Sequence, residues 1–296
     1  MRIFLLTIVI LLGGCQSMPP LPSWQSPEGL QHPDLGLIID LQQGEPMSAR
    51  QLVDELADAD QVLVGERHDN PDHHALQVWL LQALAQRRHQ GSLLLEMLNP
   101  DQKQPVELVK TSVSRGHWPA DLPAELQWQE GWPWVLYQPL VEYALVQPYP
   151  LLPANLDRDE IADIYRRVPA LKGRAGGTEV QDRLLEQIRD SHCGMLPEAQ
   201  LPAMLAVQQQ RDRRMAEQLE VAPTPAMLLA GAFHVRRDLG VPLHLANHER
   251  DAKTKVLMLA EVGETLQAKQ ADYVLFTPAR PQQDHCAAFG KQRNWR

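Results

Sequence analysis

The sequence predicts an α/β fold, a mainly parallel central sheet flanked by helices with an inserted helical subdomain. Three observations carry this expectation. Short apolar runs at 61–64, 92–95, 226–230 and 256–259 have the length and bounds of buried strands. Between the first two, Leu76, Trp79, Leu80, Ala83 and Leu84 repeat at helical spacing. A helix-length crossover between two strands is what parallel pairing requires. Third, about 101–220 reads mostly as helical pieces before strand-like runs resume, so it is placed as an insertion in the alternating pattern.

Composition bounds the rest. Of 296 residues, 44% are hydrophobic and 22% charged, which is the balance of a folded chain. The net charge is −9 and no Lys/Arg-dense run occurs, so no nucleic-acid partner is expected. No run of twenty apolar residues suggests a membrane-crossing helix.

Residues 1–14 read as a signal peptide: Arg2 supplies positive charge and Phe4 to Leu12 a short apolar run. The run Leu12-Gly13-Gly14-Cys15 resembles the bacterial lipobox. That resemblance implies acylation of Cys15, with palmitate-type chains holding the protein on a lipid membrane. Gln16 rather than Asp after the cysteine points to the outer membrane, the domain facing the periplasm. Residues 15–34 are Pro-rich and read as a lipid-anchored tether, leaving 35–296 as a single α/β domain.

Within that domain, 48–57 is expected as a helix with Leu52, Val53 and Leu56 on one face. The strand at 61–64 runs into Gly65-Glu66-Arg67-His68. Asn70-Pro71 then starts a helix, a capping side chain followed by a proline suited to the first turn. The strand at 92–95 ends at Glu96. In the insertion, 103–114, 125–128, 141–146, 159–167 and 198–219 read as helical, 131–134 as a turn or stiff aromatic wall, 151–156 as a short strand, and 173–177 as a loop. After 226–230 comes Gly231-Ala232-Phe233-His234, with strands expected at 242–245, 256–259 and 273–276.

The two Gly-x-x-His strand ends are the strongest chemical signal. Ligands of parallel α/β sheets bind beyond the carboxyl ends of strands, so His68 and His234 are expected in one cleft, with Glu66 and Glu96 beside them. Carboxylates next to imidazoles suit acid–base chemistry, a metal site, or the orientation of a ligand-binding histidine. His74 and His192 are further candidates, on a helix start and in a Gly-containing loop. Cys193 and Cys286 can form one disulfide, which their spacing does not establish.

The stretch Val64 to Gln77, with Leu95-Glu96-Met97, Trp134 to Pro139, Ala154-Asn155, His192-Cys193-Gly194, Arg211 to Ala216 and Gly231 to Val235, resembles the ChaN-like haem-binding lipoproteins. These belong to a wider superfamily with the Tiki and TraB proteins and erythromycin esterases. The resemblance spans about residues 40–245. It implies an iron-uptake protein that binds ferric haem through a tyrosinate at a homodimer interface, with a histidine near the iron and an outer-membrane haem receptor as a further partner. Among five tyrosines, Tyr137 fits the iron-ligand role best, lying in a Trp-rich segment suited to a porphyrin face. Arg67 or the pair Arg236-Arg237 would hold the propionates. Two other readings remain open: a metal-dependent hydrolase using Glu66, His68, Glu96 and His234, and a structural envelope lipoprotein with a protein partner.

Overall fold

A computed structural model describes residues 18–170, 173–245, 253–281 and Cys286. The leader and Cys15 lie outside the described residues. The chain runs β1 (Ile38–Asp40), β2 (Glu45–Met47), α1 (Ala49–Ala57), β3 (Gln61–Glu66), α2 (Pro71–Ala85), β4 (Ser92–Leu95), α3 (Lys103–Ser114), α4 (Leu122–Glu125), α5 (Trp134–Leu145), β5 (Leu151–Pro153), α6 (Arg158–Arg166), α7 (Thr178–Ser191), α8 (Leu201–Val221), β6 (Ala226–Gly231), α9 (Ala232–Val235), β7 (Thr254–Glu261) and β8 (Tyr273–Thr277). One sheet is ordered β2-β1-β8-β7-β3-β6-β4-β5. From β8 to β5 every pairing is parallel; β1 and β2 add an antiparallel edge.

The sheet is buried on both faces, and the two-residue period of its strands sorts the core. Val62 and Val64 of β3 face α1, α2 and α5, whereas Leu63 faces α8. Helix α1 begins with a reciprocal cap between Ser48 and Gln51. Helix α2 begins with the Asn70 side chain accepting from the Asp72 N–H and Pro71 in its first turn. The crossover through α2 and the return through α8 lie on opposite faces, so the carboxyl ends of β3, β4 and β6 open at one end of the sheet.

Several expectations change. The Trp-rich stretch is helical from Trp134, so Tyr137 lies on a helix and not on an extended wall. Pro139 inside α5 forgoes a bond to the Val135 carbonyl, at a residue 76% exposed whose backbone water can reach. Residues 242–245 are not a strand; Val241–Leu243 is a 3-10 turn. The short strand expected at 151–156 holds, as the edge strand β5. From Met18 the Pro-rich segment lies against the domain and does not stand off it. The Trp79 indole N–H donates to the Pro19 carbonyl at 2.9 Å, and the N–H groups of Gln25 and Ser26 donate to the Asp72 carboxylate at 2.7 and 2.9 Å. Cys193 and Cys286 form a disulfide that ties the C-terminal segment to the end of α7. No helix among the described residues is long and apolar enough to cross a membrane.

Candidate functional site

Sheet register assembles the site. Glu66 pairs with Gly231 across β3 and β6, and Leu95 of β4 pairs with Leu229 of β6, which sets Glu96 beside Gly231. The Gly231 N–H donates to Glu96 Oε2 at 2.8 Å. Helix α9 follows at once and carries His234. Its close approach to β3 depends on Gly65, where a Cβ would sit 2.5 Å from Val235 Cγ2 and 3.1 Å from the Ala232 Cα. Gly231 plays the reciprocal part, since a Cβ there would lie 2.7 Å from His68 Nε2.

Glu66 is the centre of one knot. Its Oε1 accepts from the Tyr137 hydroxyl at 2.8 Å and from His68 Nδ1–H at 2.9 Å. Its Oε2 accepts from Gln77 Nε2 at 2.5 Å, with His74 Nδ1 at 3.3 Å. Burial alone would raise the Glu66 carboxyl, but His74, His68 and Tyr137 hold it below the usual range. The Tyr137 phenol moves the other way: burial and then Glu66 push it far up. His74 also donates through Nε2 to the His68 carbonyl at 3.0 Å and meets the Tyr137 ring edge-on. Burial opposes charge on His68, yet its bond to Glu66 and the charge of Glu96 raise its pKa overall.

Glu96, His234 and Asp212 form the second knot. His234 Nε2 lies 3.2 Å from Glu96 Oε1 and Nδ1 lies 2.5 Å from Asp212 Oδ1. All three are buried. An imidazole with a carboxylate on each nitrogen is an imidazolium donating twice. Burial would lower the His234 pKa, but Glu96 and Asp212 together push it up to about 10. For Asp212 burial wins and its carboxyl rises to about 6; for Glu96 the cations His234 and His68 outweigh burial and its pKa falls. His234 therefore has no lone pair to offer a metal or a substrate proton.

A cleft of about 770 Å3 opens over both knots, within the usual size of small-molecule sites. His68, Glu66, Glu96 and His234 all line it, as the sequence predicts. With Nδ1–H committed to Glu66, His68 presents Nε2 to the cleft, and its ring meets Trp132 edge-on at 4.8 Å. Tyr137 and His74 do not line this cleft; they stand behind His68, the Tyr137 ring fully buried and its hydroxyl 3.3 Å from His68 Nδ1. His192 is not among the lining residues; it ends α7, with Nδ1 donating to the Ile188 carbonyl at 2.8 Å. Arg67, Arg236 and Arg237 are paired with Glu264, Asp238 and Asp272, each at 2.7 Å. Among the described residues no group of three His, Cys, Asp or Glu is arranged to hold a metal ion.

Sequence reasoning missed Asp212, Gln187, Gln208 and Arg211. Arg211 and Asp212 begin one of the segments that carry the family resemblance, and Asp212 is also an acidic residue on the buried face of a long helix, between Gln209 and Met215.

Comparison with known proteins shows the family. The family model described as haem-binding uptake, Tiki superfamily, ChaN matches residues 52–245. A solved structure, ChaN of Campylobacter jejuni with cofacial haem, is 31% identical, with a TM-score of 0.73 over 81% of this chain and 95% of that one. A Bacillus cereus protein is 12% identical (TM-score 0.42, covering 71% of this chain and 68% of that one) and an erythromycin esterase 13% (TM-score 0.46, 89% and 85%). No curated protein matches the chain. The family model and the Campylobacter structure together place this chain in the ChaN haem-binding family of the Tiki superfamily.

Proposed function

We propose that this chain binds ferric haem in the cleft at the carboxyl ends of β3, β4 and β6, as a step in iron acquisition. One observation carries the reading: His68 turns its Nε2, 4.0 Å from Glu96 Oε2, into the cleft beside Trp132 while Glu66 fixes its other nitrogen. A histidine oriented by a carboxylate and aimed past an aromatic wall suits a flat, iron-bearing ligand. Haem supplies the iron and a large apolar face; the chain supplies orientation, apolar walls and a fixed imidazole. His234 supports this site electrostatically, without touching the ligand's iron, because both its nitrogens are engaged.

The iron ligand of the proposal is a tyrosinate. Tyr137, the choice from sequence, would have to release Glu66 and leave a closed core before it met iron. Tyr165 on α6 is 48% exposed but does not line this cleft, so in the proposal it would reach the iron only from a second copy. The cofacial haem of the Campylobacter protein supports paired, stacked haems, which the proposal sets at a homodimer interface. The lipobox at Cys15 supports an outer-membrane lipoprotein facing the periplasm, with an outer-membrane haem receptor upstream. The hydrolase reading is weaker, since His234 cannot act as a ligand or base in this arrangement.

The test is a set of ferric haem titrations of wild type, Tyr137→Phe, Tyr165→Phe and His68→Ala, followed by absorbance and resonance Raman. The ligand's variant loses the tyrosinate signature while the other keeps it. A wild type that binds no haem saturably overturns the reading.

A further inference from the structure

Arg67, Arg211 and Arg236 line the cleft, and two of them are already matched: Arg67 to Glu264 and Arg236 to Asp238. Arg211 of α8 differs. Its Nε is buried and has no hydrogen-bond partner. The carboxylate next in sequence, Asp212, is turned to His234 instead. On α7, Gln187 also lines the cleft, and its Oε1 is likewise buried and unmatched. Unsatisfied polar atoms are uncommon in folded proteins because each forfeits its hydration with nothing in return. Two of them, on two helices and bordering one cleft, mark a place built for a polar group that is not part of the chain.

Their chemistry says what that group is. A guanidinium offers a planar fork of donors that fits the two oxygens of a carboxylate. A Gln side chain, turned by 180°, offers an N–H to the same group. Trp132, and Phe233 at 39% exposure, supply apolar surface along the same cleft. We propose that Arg211, assisted by Gln187, is the subsite that receives a carboxylate on the edge of a flat ligand whose face lies by Trp132 and His68. This rests on the haem reading for the ligand's identity: haem carries two propionates on one edge. Arg211 then replaces Arg67 and the Arg236-Arg237 pair as the propionate anchor, and it fixes which edge of the porphyrin points toward α8.

The experiment uses the full mature chain and four probes: haem, iron-free protoporphyrin IX, and the dimethyl ester of each. Iron-free porphyrin isolates carboxylate recognition from iron ligation. Wild type is expected to prefer each diacid over its ester by about 10-fold or more, as for a charge-assisted contact. Arg211→Gln is expected to abolish that preference while binding the esters as wild type does, and Arg211→Lys to keep part of it. Gln187→Leu should weaken only the diacids. An Arg211→Gln variant that retains the full preference overturns the subsite and leaves the haem reading standing. So does one that weakens acids and esters equally, since that is a structural effect. A wild type that binds none of the four probes overturns the haem reading and the subsite with it.

Discussion

The buried imidazolium sets a pH limit on stability that can be worked out in advance. His234 has an ordinary pKa near 6.5 in the unfolded chain and about 10 in the folded one. A raised folded pKa means that the native state holds a proton the unfolded state has released. The stabilising contribution is complete below pH 6.5 and is lost as pH rises through 10. Within that window one proton separates the two states, so stability falls by about 1.4 kcal/mol per pH unit. For a chain of this size that corresponds to a Tm decrease of roughly 2–3 °C per pH unit. His68, also raised, adds to the beginning of the fall. The neighbours are out of range: Asp212 titrates near 6, Glu96 is ionised throughout, and the upward-shifted phenols of Tyr137, Tyr149 and Tyr273 enter only above pH 10.

Thermal melts at constant ionic strength from pH 6 to 10 measure this limb. Replacing His234 outright leaves two buried carboxylates without their cation and costs on the order of 3–5 kcal/mol, so it tests folding more than titration. Asp212→Asn is the sharper perturbation. It removes one of the two carboxylates that raise the His234 pKa, so the fall in Tm should still begin near pH 6.5 but end at a lower pH than in wild type. A wild-type Tm that is flat between pH 7 and 10, or an Asp212→Asn limb that superimposes on the wild type, would refute the doubly paired imidazolium.

Gly231→Ala places a methyl 2.7 Å from His68 Nε2 and is expected to swing the ring off Glu66, lowering ferric haem affinity about 10-fold; titration of Gly231→Ala against wild type checks it. Asp72→Ala removes the acceptor for both the Gln25 and Ser26 N–H groups, with an expected loss of about 3 kcal/mol and faster proteolytic cutting within residues 18–34. Cys15→Ser should move the protein from the membrane to the soluble periplasmic fraction without changing its melt; equal partitioning of unlipidated wild type and variant removes the anchor.

Strands β3, β4, β6, β7 and β8 were legible because a buried parallel strand is a short apolar run, and α2 because Asn70-Pro71 marks its start. Helix α5 was obscured by its prolines: Tyr137, Leu140, Val141, Ala144 and Leu145 are its buried residues at helical spacing, but Pro133 and Pro139 read as breaks. Helix α7 shows only Leu184 and Ile188 as buried residues in a charged run. Strands β1 and β2 are three residues each, and β1 takes its register from β8, more than two hundred residues away. The strap at 18–34 is held partly through backbone N–H groups on Asp72, which no side-chain pattern reveals. In the site, Glu66, His68, Glu96 and His234 were legible from strand ends, but Asp212 was not placed there, because nothing local pairs a helix residue with a histidine 22 positions on.

The two Gly-x-x-His segments look equivalent in sequence and differ in what surrounds them. Gly65 makes room for α9, which carries His234 down beside Glu96 and Asp212. Gly231 makes room for the ring of His68, which lies over it at the cleft surface. Each glycine thus accommodates the other motif, and the exchange leaves one histidine buried and the other 37% exposed. Burial between two carboxylates fixes His234 as a cation with both nitrogens engaged. Exposure, with Glu66 hydrogen-bonded to one nitrogen and Glu96 no nearer than 4.0 Å to the other, leaves His68 Nε2 facing the ligand. The division of labour follows from this packing: a buried charge that holds Glu96 in place, and above it an oriented imidazole that faces whatever enters the cleft.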